Sequence, residues 1–256
     1  MTGLALVAHQ FRYDQKAFWR NPASVFFTVM FPVILFLILG VVFEGETVDV
    51  RGGIEATTYY VPAIMSLAII SATMQTLAMT LVIAREDGRL KRGRGTPMPP
   101  WVFIAGRVGN AIVVALMMLA LLAAIGALLF GVDVPWGRLP AILLALVVGA
   151  ASFCCLGIAL TAAIPSQDAA AAIVNAMLLP LYFLSGVFIP EDQLPDGVIA
   201  FADVFPVRHF FHAFFDAYVP AGGPAVSWDD LAVVALWGIA GLLLAIKYFR
   251  WTPRSG

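Results

Sequence analysis

The sequence predicts an all-α integral membrane protein with six transmembrane helices and both termini in the cytoplasm (N-in/C-in). Three observations predict it. First, 61% of the 256 residues are hydrophobic and only 12% are charged, against about 45–50% and about 25% in ordinary globular domains. Such a chain cannot cover its apolar surface with polar groups in water. Second, six stretches reach the ~20 mainly apolar residues that a helix needs to cross a bilayer. Third, Lys and Arg fall on one side of those stretches and not the other, as expected for cytoplasmic segments.

The predicted spans are 24–43, 60–84, 102–130, 139–164, 169–189 and 231–249. Pro32 is expected to kink the first. The third includes Arg107, read as snorkelling to the inner surface. Only Pro165, Ser166, Gln167 and Asp168 separate the fourth from the fifth, which makes those two antiparallel neighbours, with Asp168 as N-cap of the fifth. Arg12, Lys16, Arg20, Arg85, Arg89, Lys91, Arg92, Arg94, Arg107, Lys247, Arg250 and Arg254 share one side, and only Arg51, Arg138 and Arg208 lie on the other. The first side is therefore read as cytoplasmic. No segment is long and polar enough to form a separate soluble domain, so residues 1–256 read as one membrane domain.

Three segments are not spans. Residues 1–22 read as an amphipathic surface helix, with Leu4, Val7, Ala8, Phe11 and Phe18 recurring at helical spacing and Arg12, Lys16 and Arg20 elsewhere on the wheel. Asn21 and Pro22 suit the cap and first turn of the next helix. Residues 85–100 form the most polar stretch, which is either a loop that only sets topology or a docking element for a cytoplasmic partner with an acidic surface. Residues 190–230 are cut by Pro190, Pro195, Pro206, Pro220 and Pro224. Between these lie Phe205, Phe210, Phe211, Phe214, Phe215 and Tyr218, so short external re-entrant helices are expected, with their ends buried in protein.

The net charge of −1 gives no field for nucleic acid. Cys154 and Cys155 are neighbours in an apolar run, which is neither a disulfide framework nor metal-ligand spacing. The first 20 residues lack the pattern of a cleavable signal peptide. No Asp, Glu, Lys or Arg sits in the middle of a span, which argues against a proton-coupled carrier and an intramembrane carboxylate enzyme. His209, His212 and Asp216 can share a helix face, a weak metal pattern on its own. The three lysines, Lys16, Lys91 and Lys247, do not follow glycine, so no Walker A motif is present. The chain is therefore expected to bind no cofactor and to hydrolyse no ATP itself. Inside the spans, Ser66, Ser71, Thr73, Gln75, Thr76, Thr80 and Asn175 are open to two readings: hydrogen bonds between helices, or the lining of a path for an amphipathic substrate.

Two stretches then carry a resemblance. Arg85-Glu86-Asp87-Gly88-Arg89-Leu90-Lys91-Arg92, followed by Gly95-Thr96-Pro97-Met98, is similar to the acid–Gly–basic run after the second span of the membrane subunits of ABC type-2 transporters. Leu184-Ser185-Gly186-Val187-Phe188-Ile189-Pro190, then Leu194-Pro195 and Phe205-Pro206-Val207, resembles that family's Ser-Gly-aromatic-Pro signature. Ala63 departs from the pattern, standing where a glycine is common after the proline. The family includes bacterial drug, lipid and polysaccharide exporters, and the order of elements matches along nearly the whole chain.

The resemblance implies a permease subunit in the inner (plasma) membrane. The surface helix would be an elbow helix. Residues 85–97 would hold a coupling helix, with Glu86, Arg89, Leu90, Lys91, Arg92, Arg94, Thr96 and Pro97 as contacts to a cytoplasmic ATP-binding subunit. Two such subunits, carrying ATP and Mg, would pair with two copies of this chain or with one copy and a related permease. The second and fifth spans would line the substrate path, with Met74, Gln75, Met79, Asn175 and Met177 as candidates. Ser185, Gly186, Phe188 and Pro190 would form an external gate. The expected cargo is hydrophobic or amphipathic, drug- or lipid-like, moved outward. The alternatives are a lipid-modifying metalloenzyme built on His209 and His212, and an ATP-independent carrier.

Overall fold

The computed structural model describes residues 3–50, 52–94, 100–190, 194–220 and 223–253. Ten helices follow one another among these residues, besides a short 3-10 turn at Trp136–Arg138: α1 (Gly3–Trp19), α2 (Pro22–Val42), α3 (Ala56–Glu86), α4 (Arg89–Arg94), α5 (Pro100–Phe130), α6 (Leu139–Leu160), α7 (Gln167–Leu184), α8 (Asp196–Ala202), α9 (Pro206–Tyr218) and α10 (Trp228–Tyr248). Six of them, α2, α3, α5, α6, α7 and α10, are long and apolar enough to cross a membrane. The protein is a multi-pass membrane protein. A two-residue antiparallel pair, β1 (Thr47–Val48) with β2 (Ile54–Glu55), bridges the turn between α2 and α3 in the register Thr47↔Glu55.

The helix ends follow from local chemistry. Asn21 accepts a hydrogen bond from the Ser24 amide at 3.2 Å, and Pro22 occupies the first turn of α2, where its missing N–H costs nothing. A π-helical turn at Phe26–Met30 stands just before Pro32. Both a π turn and a proline are places where a helix ladder is interrupted and helices bend. The cap of α7 is Ser166, whose hydroxyl accepts from the Ala169 amide at 3.3 Å, while Asp168 lies inside the first turn and there complements the helix dipole. That helix stops at Leu184, short of residue 189, because Gly186 takes φ +86°, a left-handed conformation that closes helix C-termini. Helix α6 stops at Leu160 rather than 164, where Thr161 turns its hydroxyl onto the Ile158 carbonyl at 2.6 Å.

Helix α3 is the axis of the bundle, packed by α2, α5, α6, α7 and α9. Nearly all of its first fifteen residues are buried. The most extensive pairing joins α6 to α10. There a side chain at Gly238 would overlap Ser152, and one at Gly241 would press on the Leu156 backbone. Small residues of this kind let helices approach closely where water supplies no driving force. Helix α1 lies along α5, with Gln10 and Phe11 seated over Gly106 and Gly109. Arg12, Lys16 and Arg20 are exposed. Ala8, expected on the apolar stripe, is exposed too, and the partly buried positions instead include the polar Gln10 and Asp14.

Helices α8 and α9 meet at 95°. The bend is held from three directions. Arg208 pairs with the Asp203 carboxylate at 2.7 Å. His209 lies between the Asp203 carbonyl (2.8 Å) and the Asp230 carboxylate (2.6 Å). Trp237 Nε1 donates to the Val204 carbonyl at 3.0 Å. Helix α9 is sunk in the protein, with Phe210 and Phe214 fully buried. Arg138 donates to the carbonyls of Asp216 (2.9 Å) and Gly223 (3.2 Å), which anchors the far end.

Candidate functional site

The polar groups of α3 fall into three levels. At its middle the helix opens into a second π turn, Ser71–Gln75, where the Thr76 amide reaches back to the Ser71 carbonyl. Single π turns often mark functional sites in helices. The Thr76 hydroxyl also donates to the Ser71 carbonyl at 2.9 Å, so it accepts from Thr28 on α2, 3.1 Å away. Thr28 belongs to the π turn of α2, and the two irregular turns therefore face each other. From Ser71 the network continues outward: its hydroxyl donates to Gln75 Oε1 at 3.0 Å, and Gln75 Nε2 donates to Asn175 Oδ1 on α7 at 2.9 Å. Uncharged hydrogen bonds thus tie α2, α3 and α7 at one level of the bundle.

Of the candidate path residues, the structure joins Gln75 and Asn175. Met74 is buried, its backbone against Gly157 of α6. Met79 is partly buried, and Met177 is 42% exposed. The candidate set is therefore one bonded pair with methionines at three degrees of burial. Thr28 was missed by the sequence reading, because a lone threonine in an apolar run carries no signal until its π turn is seen.

At the basic end of α3, Arg85 is 1% exposed. Its guanidinium donates to the carbonyls of Thr161 (2.8 Å) and Ile164 (2.7 Å), and its Nε to Glu86 at 2.7 Å. Arg85 so closes the last turn of α6, satisfying carbonyls that a helix end leaves open. Read from sequence as one more topogenic cation, it is a buried clamp between α3 and α6. Glu86, expected to face a partner, has a side chain only 7% exposed and holds this clamp.

Beyond the Asp87–Gly88 turn, where Gly88 takes φ +68°, the chain enters α4. Leu90 is buried at 1% exposure, while Arg89, Lys91 and Arg92 are exposed. Arg89 bonds Asp87 at 2.8 Å. Helix α4 is thus pinned by one leucine and presents cations outward. Arg94 closes α4, with only its backbone described; Thr96 and Pro97 lie outside the described residues.

At the opposite end of α3, the buried Tyr59 hydroxyl donates to the carbonyl of Gly186. Ser185 is buried and bonds the Tyr182 carbonyl at 3.0 Å. Phe188 stacks near Phe183, with ring centres 4.8 Å apart, and Pro190 is buried. The four candidate gate residues therefore gather around the end of α7, joined to α3 through Tyr59.

The His209–His212–Asp216 face does not converge. Both ring nitrogens of His209 face oxygens of Asp203 and Asp230, the His212 ring packs beside Phe211, and Asp216 accepts from the Ser227 hydroxyl. Among the described residues no three His, Cys, Asp or Glu side chains form a metal-ligating group.

Comparison with known proteins agrees with this architecture. Residues 5–219 match the ABC-2 type transporter family. The "Probable multidrug ABC transporter permease YbhR" of Escherichia coli (strain K12) is 22% identical over 174 residues, or 68% of this chain and 47% of the relative. The chain thus spans about half the length of that relative. The provisionally named transport permease YvfS of Bacillus subtilis (strain 168) is 22% identical over 237 residues, 93% of this chain and 94% of the relative. With the family match running from α1 to the end of α9 and six membrane-crossing helices around it, this chain belongs to the ABC-2 type transporter family.

Proposed function

We propose that the chain is the membrane permease of an ATP-driven exporter, with hydrolysis carried out by two cytoplasmic ATP-binding subunits that hold ATP and Mg. The observation that carries this reading is the continuity of α3 with α4. A cationic helix pinned by Leu90 stands one turn beyond a buried clamp, Arg85–Glu86, that binds α3 to α6. A push on Arg89, Lys91 and Arg92 enters α3 and α6 together. In this reading the cations put α1, α4 and both termini in the cytoplasm, α1 acts as the elbow, and the α8–α9 pair is external.

Two copies, or one copy and a related permease, enclose the path between them. The Gln75–Asn175 bond is then the polar element of its lining, to which Met79 and Met177, less buried than Met74, would add flexible side chains that suit varied apolar cargo. Such a lining favours a hydrophobic or amphipathic substrate, drug- or lipid-like. Ser185, Gly186, Phe188 and Pro190 gate its exit. Proteoliposomes holding the permease with its ATPase are expected to move a fluorescent lipid analogue only when ATP and Mg are supplied. Equal movement by the permease alone would make it a carrier and overturn the proposal.

A further inference from the structure

His209, in the first turn of α9, has both ring nitrogens on oxygens of other elements. Nε2 stands 2.8 Å from the backbone carbonyl of Asp203, the residue that closes α8, and Nδ1 stands 2.6 Å from Oδ1 of Asp230, in the first turn of α10. A backbone carbonyl can only accept, so Nε2 carries a proton. The short contact between Nδ1 and the carboxylate then holds a second proton, on the ring or shared with Asp230. Both side chains are largely shielded from water, at 18% and 20% exposure. One ring thus ties three helices, and α8, which follows the Ser185–Pro190 stretch in the chain, also packs on α7.

A neutral imidazole has one donor nitrogen and one acceptor nitrogen. When the second proton leaves, one lone pair is turned onto an oxygen: onto Asp230 in one tautomer, onto the Asp203 carbonyl in the other. Either way the ring keeps only one of its two bonds, and the strength that charge lends the Asp230 contact is lost. The other charged groups on these elements are engaged elsewhere or carry no proton to replace it. The Asp203 carboxylate is paired with Arg208. Asp229 sits beside Asp230 in the first turn of α10. Asp216, farther along α9, is bonded to Ser227. His212, the next histidine on α9, packs beside Phe211.

We propose that His209 and Asp230 form a proton-dependent latch on the α8–α9 corner. With the proton held, the ring fastens α8, α9 and α10 together; on its loss, α8 is freed from the corner. The sign follows from the bonds: stability that depends on a bound proton is present at low pH and lost as pH rises. Histidine is the side chain whose charge ordinarily changes between roughly pH 5 and pH 8. The latch goes beyond the transport reading and does not depend on it, because it is measured on the chain without ATP or a partner.

The test is amide hydrogen exchange of the full chain in neutral detergent at about pH 6 and about pH 8, read by mass spectrometry and corrected for the intrinsic pH dependence of exchange. Helix α6 serves as the internal reference. Protection of residues 196–209 relative to α6 is expected to fall about tenfold from the lower pH to the higher. Asp230→Asn keeps the shape of the side chain, and its amide can donate to a neutral Nδ1 while Nε2 still donates to Asp203. Protection in that variant is expected to stay high at both pH values. His209→Phe has neither bond and is expected to be low at both. Protection of α6 equal to wild type shows that a variant is folded, and either variant suffices, since each is expected to abolish the pH response. No pH-dependent fall in the wild type relative to α6 would overturn the proposal. So would a full pH response in either variant, which would assign the effect to another group such as His212.

Discussion

Arg85 shows how far one residue's role can lie from its composition class. A guanidinium presents a rigid fork of donors, and here the fork meets two carbonyls of α6 and the Glu86 carboxylate. Removing one partner from a buried charge cluster costs about 3–5 kcal/mol. Arg85→Met is therefore expected to lose about 3 kcal/mol or more in mixed-micelle unfolding, and Arg85→Lys to recover only part, because an ammonium cannot span three acceptors in that plane. The Gln75–Asn175 bond is weaker: interhelical hydrogen bonds in membranes average about 0.6 kcal/mol. A double-mutant cycle of Gln75→Leu and Asn175→Leu is expected to give a coupling of about 0.5–1 kcal/mol by the same unfolding assay. The sequence showed Gln75 and Asn175 as amides standing out in apolar runs, whereas Arg85 read only as one more cation of the basic segment. It could not show their partners, 76 to 100 residues away, nor separate the clamping Arg85 from the exposed Arg89 four positions on.

Elements were legible where burial follows hydropathy and illegible where backbone geometry departs from a regular helix. All six spans stand out as apolar runs. The π turns at Phe26–Met30 and Ser71–Gln75 have no residue signature, because Phe, Ser, Thr and Met also sit in ordinary helices; what selects them is the packing of α2, α3 and α6. The extra width at Ser71–Gln75 is matched by Gly157, where an added Cβ would come within 2.7 Å of the Met74 carbonyl oxygen. Overpacking of this kind costs about 1–3 kcal/mol. Gly157→Ala is expected to lower stability by that amount and to shift the α3–α6 distance, read by spin labels on the two helices. At the other end of α3, Tyr59→Phe leaves the Gly186 carbonyl without its donor. The expected loss is about 1–3 kcal/mol, seen as faster hydrogen exchange confined to the end of α7.

At the scale of the molecule, one helix meets every polar level: α4 at its basic end, the π turn and Gln75 at its middle, Tyr59 at its far end. In the proposed reading, that helix would carry a displacement of α4 to the bonds around Asn175 and Gly186. The order of N-terminal helix, six spans, basic turn and bent pair was legible because it is written in hydropathy, charge and proline placement. The 95° angle of that pair was not, since Asp230 and Trp237 on α10 hold it from outside the pair, through His209 and the Val204 carbonyl. The central claim is that force enters through α4 from an ATPase. Affinity purification of the full chain from its native membranes in mild detergent, with the co-purifying P-loop ATPase quantified, tests it most directly. The account predicts one ATPase per permease, and a loss of about tenfold or more when Arg89→Glu, Lys91→Glu and Arg92→Glu are combined in a permease that still purifies folded. Absence of an ATPase from the wild type, or its full retention by the triple variant, would contradict the account.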